Sequence, residues 1–360
     1  PERTPVELAD DLIQHLSHAK IGNNRVRLDY HVGICEIPQS GHFTLRSIID
    51  DATLAHNSAE VRERSIELFS KSRREHLIKQ RKMLDLMEKA LNSHEFKIWL
   101  QPKYNILTHQ IVGAEALVRW DSPELGFVMP KDFIELFEKN SSVFNLDYYM
   151  LEGVCRVQQE RLQKGLPVLP ISVNQSGLHI TEAGYLKHMR EIAQRYPMPA
   201  SAVELEITET AFIDFTTKQA RAETDKIING LRELKFDLSM DDFCTGYSSI
   251  ALLQNVTLHT MKVDRSLIES AMFSARAENI LQNVIKFGKA LNMKVICEGV
   301  ETPEQEKMLI RIGCEYAQGF LYAKPMPLDE FAVFAYSGQA AKEALMQPRA
   351  NPRAKAPSAA

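Results

Sequence analysis

AVELEIT (residues 202–208), FDLSMDDF (residues 236–243) and TMKVDRS (residues 260–266) are short apolar runs that carry charged side chains near their ends. Within each run apolar and polar residues alternate, as in a β-strand. The stretches between the runs are long enough to form helices. Strands that alternate with helices indicate βα units and a parallel sheet. This part of the sequence therefore predicts parallel strands whose ends carry charge.

The same pattern continues on both sides of these three runs. Five further candidate strands are FKIWLQP (96–102), IVGAEALVRW (111–120), PISVNQS (170–176), MKVICEGV (293–300) and YAQGFLY (316–322). Eight strands in about 235 residues match the size of a closed (β/α)8 barrel. We therefore expect an α/β fold, a TIM-type barrel over residues 94–340.

The composition is that of a globular protein. The chain has 360 residues, of which 44% are hydrophobic and 25% are charged, and its formal net charge is −4. Disordered and fibrous classes are excluded, and the small net charge gives no global attraction for nucleic acid. No run approaches the ~18 apolar residues of a membrane helix, and the start has no signal-peptide pattern. We expect neither a nucleic acid polymer as partner nor a membrane segment in this chain.

Cysteine usage bears on the compartment. Five cysteines are dispersed along the chain without a CxxC pair, which argues against a disulfide framework or a zinc knuckle and favours a reducing compartment. Because the chain begins at Pro1 rather than Met, we expect it to be part of a longer polypeptide. A cytoplasmic location is expected for this portion, and the parent protein could be anchored in a membrane upstream.

Polar residues that can bind metal or phosphate stand at the ends of seven successive predicted strands. They are Glu115, Asn174, Glu206, Asp241, Lys262, Glu298 and Gln318. Their average spacing of about 34 residues is close to one βα unit. Taken singly, each is more typical of a capping, turn or surface residue. Their joint periodicity favours one site, because the carboxyl ends of barrel strands form one rim where catalytic groups collect.

The candidate ligands at this rim are hard oxygen donors. They are the carboxylates of Glu115, Glu206, Asp241 and Asp242 and the amide of Asn174. None of the 11 histidines belongs to an HxH or HExxH pattern. A site rich in oxygen and free of histidine favours Mg²⁺ or Mn²⁺ over Zn²⁺. Period-two alternation also places Arg119, a candidate phosphate ligand, on the same strand face as Glu115.

Seven ordered blocks of the sequence resemble the signature blocks of EAL-domain cyclic di-GMP phosphodiesterases. The blocks are EALVR (115–119), SVNQS (172–176), ELEITE (204–209), DDF with TGYSS (241–249), MKVDRS (261–266), CEGVET (297–302) and QGFLYAKPM (318–326). The resemblance spans about residues 86–335. It implies a modified TIM barrel with one antiparallel strand near its start. It also implies metal-dependent hydrolysis of cyclic di-GMP to linear pGpG in bacterial second-messenger signalling.

The resemblance implies roles for individual residues. Those that match metal ligands are Glu115, Asn174, Glu206, Asp241 and Asp242, for two ions of Mg²⁺ or Mn²⁺. Those that match catalytic positions are Glu298, as the general base, Lys262, and Glu209, which would brace the loop after DDF. Those that match substrate-contacting positions are Gln101, Leu117, Arg119, Glu301 and Gln318. A homodimer through the barrel is an expectation that rests on the resemblance alone.

One position departs from the family pattern. Cys244 follows DDF where the family usually has glycine, so the loop loses a residue that adopts positive φ without strain. Two interpretations stay open. The cysteine is either a tolerated small residue or a thiol near the metals that makes the activity sensitive to oxidation.

The ends of the chain have a different character. Residues 1–58 resemble, less closely, the last part of a GGDEF domain, through YHVGICEIP (30–38) and IIDDATLAHN (48–57). The diguanylate cyclase signature is absent, so we expect a small α+β segment with a regulatory or structural role. The composition of residues 341–360, dominated by Ala, Pro, Lys and Arg, predicts a disordered tail.

Residues 59–93 are charged and contain neither Pro nor Gly. Leu77, Leu84 and Leu91 follow heptad spacing there. The pattern predicts one linker helix, which either is solvated or pairs with a second copy.

Three functions are compatible with these patterns. The first is hydrolysis of cyclic di-GMP. The second is a catalytically silent receptor that binds cyclic di-GMP and signals through the N-terminal segment. The third is an unrelated metal-dependent barrel enzyme such as a lyase. Every ligand position holds the residue type that the family has there, and this favours hydrolysis.

Overall fold

The computed structural model describes residues 4–16, 20–21, 24–25, 31–35, 44–61, 66–69, 71–208, 218–243 and 258–336. The chain divides into two compact units, Pro1–Met87 and Glu88–Ala360. Glu209, Cys244 and the predicted tail over 341–360 lie outside the described residues. Among the helices that are described, none combines the length and apolar character needed to cross a lipid bilayer.

The N-terminal unit contains both helices and strands. Its elements are the helices Pro5–Leu16 and Leu45–Val61 and the strands β1 Lys20–Ile21, β2 Asn24–Arg25, β3 Val32–Ile34 and β4 Ile66–Leu68. β1 and β2 pair in antiparallel fashion, and β3 and β4 pair in parallel. A helix over Lys71–Asn92 follows β4 and crosses the boundary between the two units.

Residues 59–93 do not form one helix. The preceding helix ends at Val61, β4 occupies Ile66–Leu68, and the next helix begins at Lys71. β4 is formed by pairing with β3, and Phe69 N donates a hydrogen bond of 2.6 Å to Ile34 O just beyond the strand. The partner lies more than 30 residues away in sequence, so local helix propensity does not reveal this strand.

Eight strands of the second unit close into a barrel. In ring order they are β5 Phe96–Asn105, β6 Gln110–Ser122, β8 Ile171–Gln175, β9 Val203–Thr208, β10 Asp237–Phe243, β11 Thr260–Val263, β12 Lys294–Cys297 and β13 Tyr316–Ala317. Two short strands, β7 Gly126–Val128 and β14 Met326–Pro327, add to β6 and β5. β5 runs antiparallel to both of its ring neighbours, β6 and β13, and the other ring pairs are parallel. The expected α/β barrel with one antiparallel strand near its start is confirmed.

Helices fill most of the connections between barrel strands. They are Pro130–Lys139, Val143–Gln163, a 3₁₀ turn Gly177–Thr181, Tyr185–Arg195, Lys218–Glu233, Arg265–Phe273, Ala275–Ala290, Pro303–Arg311 and residues 328–336. The link between β5 and β6 is a short turn, because antiparallel neighbours need no crossover.

The last predicted strand is shorter than its apolar run suggests. YAQGFLY (316–322) is a strand only at Tyr316–Ala317, and the residues after Gln318 form a turn in which Tyr322 N donates to Gly319 O. A Cβ atom at Gly319 would lie 2.1 Å from Val300 O. The glycine therefore lets this turn approach the segment that follows β12.

An aromatic cluster closes one part of the barrel wall. Trp120 on β6 packs against Phe96 on β5 with ring centroids 5.0 Å apart, and against Phe133 at 5.6 Å in an edge-to-face arrangement. Trp120 and Phe133 are fully buried. Trp120 Nε1 donates a hydrogen bond of 3.0 Å to Glu95 Oε2. The cluster therefore attaches the helix Pro130–Lys139 to β5 and β6.

Replacing Phe133 with alanine should destabilise the barrel by about 3–5 kcal/mol, because it removes a fully buried ring and leaves a cavity. The loss is measured by urea unfolding followed through the fluorescence of Trp99 and Trp120, both of which lie on barrel strands. Phe273→Ala is the matched control. That side chain is 93% exposed, so its loss should change the free energy of unfolding by less than about 0.5 kcal/mol. Equal losses in the two variants would contradict this description of the core.

Candidate active site

Each of the eight barrel strands contributes one polar side chain to a single rim. They are Gln101 on β5, Glu115 on β6, Asn174 on β8, Glu206 on β9, Asp241 on β10, Lys262 on β11, Glu298 directly after β12 and Gln318 directly after β13. Hydrogen bonds and ion pairs join these side chains to one another. The seven strand-end residues that the sequence predicts as one site are therefore brought together, and Gln101 joins them from the antiparallel strand.

Lys262 stands at the centre of this rim. The distances from its Nζ are 2.6 Å to Glu206 Oε2, 2.7 Å to Glu298 Oε1, 3.1 Å to Asp241 Oδ1 and 3.4 Å to Glu115 Oε2. The side chain is only 1% exposed. Burial opposes its charge, but the surrounding carboxylates outweigh this and hold the pKa of Lys262 well above its ordinary value. The group is therefore an ammonium ion in contact with four carboxyl groups.

Glu206 is held between two ammonium groups. Its Oε2 contacts Lys262, and its Oε1 lies 2.8 Å from the Nζ of Lys103. Burial alone would favour the neutral acid, but the two lysines lower the pKa of Glu206 to about 2. This carboxylate is ionised throughout the neutral range.

Amide side chains fix the carboxylate of Glu115. Asn174 Nδ2 donates to Glu115 Oε1 at 3.0 Å, and Gln318 Nε2 donates to Glu115 Oε2 at 2.7 Å. Gln318 Nε2 also lies 3.1 Å from Gln101 Oε1. These contacts link β5, β6, β8 and β13 across the mouth of the barrel. Burial, reinforced by the charge of Glu206, raises the pKa of Glu115.

A bulge in β10 sets the position of the adjacent pair Asp241 and Asp242. The pairing of β10 with β11 shifts register between Met240 and Phe243, and Asp242 adopts a left-handed φ of 56°. Neighbouring residues of a regular strand point to opposite faces, whereas a bulge redirects one of them. Burial, with repulsion first from Asp264 and then from Glu115 and Glu206, raises the pKa of Asp242. Both aspartates therefore lie within electrostatic reach of the rim.

Glu298 directly follows β12 and lies at the edge of the site. Its backbone N–H donates to Val263 O at 3.0 Å. The next residue, Gly299, has a φ of 66°, and a Cβ there would lie 2.6 Å from Arg265 Cβ. Burial, together with the other carboxylates and despite the contact with Lys262, raises the pKa of Glu298 to about 8. A carboxyl group with such a pKa can exchange a proton near neutral pH.

A cavity of about 150 Å³ opens directly beside Glu115 and Glu298. Its walls include the predicted substrate-contacting residues Gln101, Leu117 and Glu301. Arg119 is not among its lining residues. That guanidinium donates to Val118 O at 2.8 Å and lies over the Trp99 ring, 5.4 Å from its centroid. Sharing a strand face with Glu115 therefore does not bring Arg119 to the cavity wall.

Sequence reasoning missed three residues of this region. Arg265 and Phe320 line the cavity, and Arg265 forms an ion pair with Glu301. Lys103 lies behind Glu206. Lys103 stands two positions after Gln101 on one strand, so period-two alternation could have placed it inside the barrel. Arg265 belongs to the quoted MKVDRS block, but nothing in its local pattern indicates a partner 36 residues away.

The donor atoms of the rim are of the kind that binds a hard divalent cation. It gathers carboxylate and amide oxygens, and Gln318 Oε1 is buried without a hydrogen-bond partner. The geometry differs from the prediction of a metal site. Among the described residues, no group of three or more His, Cys, Asp or Glu side chains is arranged to hold a metal ion. In this structure the carboxylates of Glu206, Asp241 and Glu298 contact Lys262 Nζ.

Comparisons with known proteins fit this geometry. The family model described as the EAL domain matches residues 85–325. The bifunctional diguanylate cyclase/cyclic di-GMP phosphodiesterase MucR of Pseudomonas aeruginosa is 30% identical over 325 residues, which is 90% of this chain and 47% of MucR. The cyclic di-GMP phosphodiesterase NbdA of the same organism is 33% identical over 304 residues, 84% of this chain and 38% of NbdA. The chain thus spans less than half the length of these curated relatives.

A solved structure of the PaMucR phosphodiesterase in complex with c-di-GMP is also similar. It has a TM-score of 0.64 and 32% sequence identity, and the match covers 69% of this chain and 99% of that chain. The similarity in structure therefore extends over the barrel.

The raised pKa of Glu298 predicts how the stability of the metal-free barrel depends on pH. A carboxyl group with a raised pKa in the folded state binds its proton more tightly there than in the unfolded chain, so the folded state loses stability as the pH rises through that pKa. In the presence of EDTA, the free energy of unfolding should fall between pH 5 and pH 8 by on the order of 3 kcal/mol. Urea unfolding with tryptophan fluorescence measures the fall.

In Glu298→Gln the fall should be clearly smaller, because the amide does not titrate. Glu135→Gln is the control. Glu135 is an exposed carboxylate paired with Lys139, and its pKa is lowered, so it is already ionised across this range. A fall in Glu298→Gln as large as that of the wild type would contradict the assignment.

Proposed function

The chain belongs to the EAL domain family, and from that premise we propose that it hydrolyses cyclic di-GMP to linear pGpG with the help of Mg²⁺ or Mn²⁺. The observation that carries the proposal is the rim itself, on which all eight barrel strands present a polar side chain beside an open cavity. The similarity to MucR and NbdA, both named as cyclic di-GMP phosphodiesterases, supports the choice of substrate.

The side chains of the rim suit a phosphodiester bond. Glu298 borders the cavity, and in the metal-free protein burial raises its pKa to about 8. This carboxyl group is therefore suited to accept the proton of an attacking water. Lys262 offers a fixed positive charge, with its Nζ 2.7 Å from Glu298 Oε1. Gln318 and Asn174 hold Glu115 in one orientation. Positioned groups of this kind remove much of the entropic cost of the reaction.

Bound ions would be held by Glu115, Asn174, Glu206, Asp241 and Asp242. When bound, Mg²⁺ or Mn²⁺ would supply positive charge next to the phosphodiester oxygens.

The N-terminal unit is proposed to be the end of a GGDEF domain without cyclase activity. The match to MucR covers 90% of the chain, whereas the EAL domain match begins at residue 85. The similarity therefore extends into the N-terminal unit, and MucR is named as bifunctional. The role proposed for residues 1–58 is regulatory or structural.

Identification of the product tests the proposed function. The chain is incubated with cyclic di-GMP and with Mg²⁺, Mn²⁺ or EDTA, and the nucleotides are separated and identified by mass. We expect pGpG with either ion and intact cyclic di-GMP with EDTA. Tight binding followed by recovery of intact cyclic di-GMP in all arms would instead identify the catalytically silent receptor.

Removing one rim carboxylate should abolish most of the turnover while the barrel stays folded. We expect Glu115→Ala and Asp241→Ala each to lower kcat by roughly 10³, equivalent to about 4 kcal/mol of lost transition-state stabilisation. The rate of pGpG formation at saturating cyclic di-GMP measures the effect, and tryptophan fluorescence verifies the fold. Glu135→Ala, which removes an exposed carboxylate that pairs with Lys139 on the helix Pro130–Lys139, is the control and should keep the wild-type rate. Near-normal turnover in both rim variants would refute the assignment.

A further inference from the structure

Lys103 lies one layer deeper in the barrel than the rim. It follows Gln101 by two residues on β5, so both side chains are on the inner face. Because β5 is antiparallel to β6, Lys103 pairs with Gly113 while Gln101 pairs with Glu115. On β6 the rim residue Glu115 follows Gly113 in sequence, whereas on β5 the rim residue Gln101 precedes Lys103. The side chain of Lys103 is 4% exposed.

The ammonium group of Lys103 has three described partners. Its Nζ lies 2.7 Å from Ser172 Oγ, 2.8 Å from Glu206 Oε1 and 3.4 Å from Glu204 Oε2. The carboxylate of Glu206 thus has one oxygen on Lys103 and the other on Lys262. Contacts at both oxygens restrict the position and the rotation of the carboxylate.

Resting on the proposed function, we propose that Lys103 is a positioning residue for the reaction, which holds Glu206 in the orientation that the rim requires. Lys103 is not among the lining residues of the cavity, and it is fully buried behind Glu206. Its direct contact with the rim is the ion pair with the Glu206 carboxylate.

The surroundings of Lys103 argue for more than a role in packing. Barrel interiors are filled mainly by branched apolar side chains, whereas this layer contains Lys103, Ser172, Glu204 and Ser239, all buried. Replacing buried ion pairs with apolar residues is often neutral or stabilising. A lysine that only balanced Glu204 would lie closest to it, yet Lys103 is nearer to Glu206. The contacts of Lys103 therefore favour a link to the rim over a role in packing alone.

The decisive variant is the double substitution Lys103→Met with Glu204→Gln. Lys103→Met alone leaves Glu204 buried without its cation and risks unfolding. The double variant removes one positive and one negative charge together, and Glu206 keeps Lys262 as its partner. Glu204→Gln alone is the matched control, because the contact between Lys103 and Glu206 remains.

For the double variant we expect kcat to fall about 10–100-fold, the usual effect of losing a group that orients a ligand side chain. KM should stay within about twofold of the wild type, because no substrate contact is removed. Binding of Mn²⁺, followed through the EPR signal of free Mn²⁺ without substrate, should weaken by about tenfold or more. Glu204→Gln should resemble the wild type in all three measurements.

The proposal is overturned if the folded double variant keeps both its kcat and its Mn²⁺ affinity. It is also overturned if the double variant is unfolded at the assay temperature by tryptophan fluorescence, because the role of Lys103 is then structural. Failure of the proposed function is a separate result, namely no pGpG from the wild type. In that event the Mn²⁺ measurement still decides whether Lys103 orients Glu206.

Discussion

The buried ammonium group of Lys262 is the contact on which the rim depends. Its four carboxylate partners come from β6, β9, β10 and the segment after β12. Burying such a cation without partners would cost several kcal/mol, and the same holds for each carboxylate. The cluster therefore forms only when strands far apart in sequence reach the correct register. A slip of one residue in any of them would turn its polar side chain to the opposite face.

The antiparallel strand β5, which closes the barrel, adds two further side chains that contact the rim. β5 pairs with β6 along most of its length and with β13 on its other side. In a parallel barrel the carboxyl end of each strand lies at the rim. Because β5 runs antiparallel to its neighbours, its amino-terminal half lies at the rim and its later residues lie deeper in the barrel. Gln101 therefore contacts Gln318 at the mouth, and Lys103 reaches Glu206 from below. One reversed strand thus supports the rim from two depths.

Strand periodicity was sufficient to predict the barrel and most of its rim. Apolar runs that carry polar residues at an average spacing of about one βα unit bring those residues to one rim once the sheet closes, which is why Glu115, Asp241 and Lys262 could be identified. Contacts that depend on side-chain paths were not predictable. Arg119 shares a face with Glu115 and yet lies over Trp99, and the bulge at Asp242 is a local break in the strand pattern. β4 was missed because its partner strand is distant in sequence.

The charge of the rim bears on the choice between an enzyme and a receptor. Five carboxyl groups, those of Glu115, Glu206, Asp241, Asp242 and Glu298, lie on or beside it, and Lys262 is in contact with four of them. The raised pKa values of Glu115 and Glu298 reflect burial together with this crowding of negative charge. A cyclic dinucleotide brings two more negative charges, and like charges brought together at an interface oppose binding. A protein that only captured this ligand would bind it better with fewer carboxylates. Their presence is understandable if divalent cations enter between the carboxylates and the phosphates, because the same cations then neutralise the charge that develops during hydrolysis.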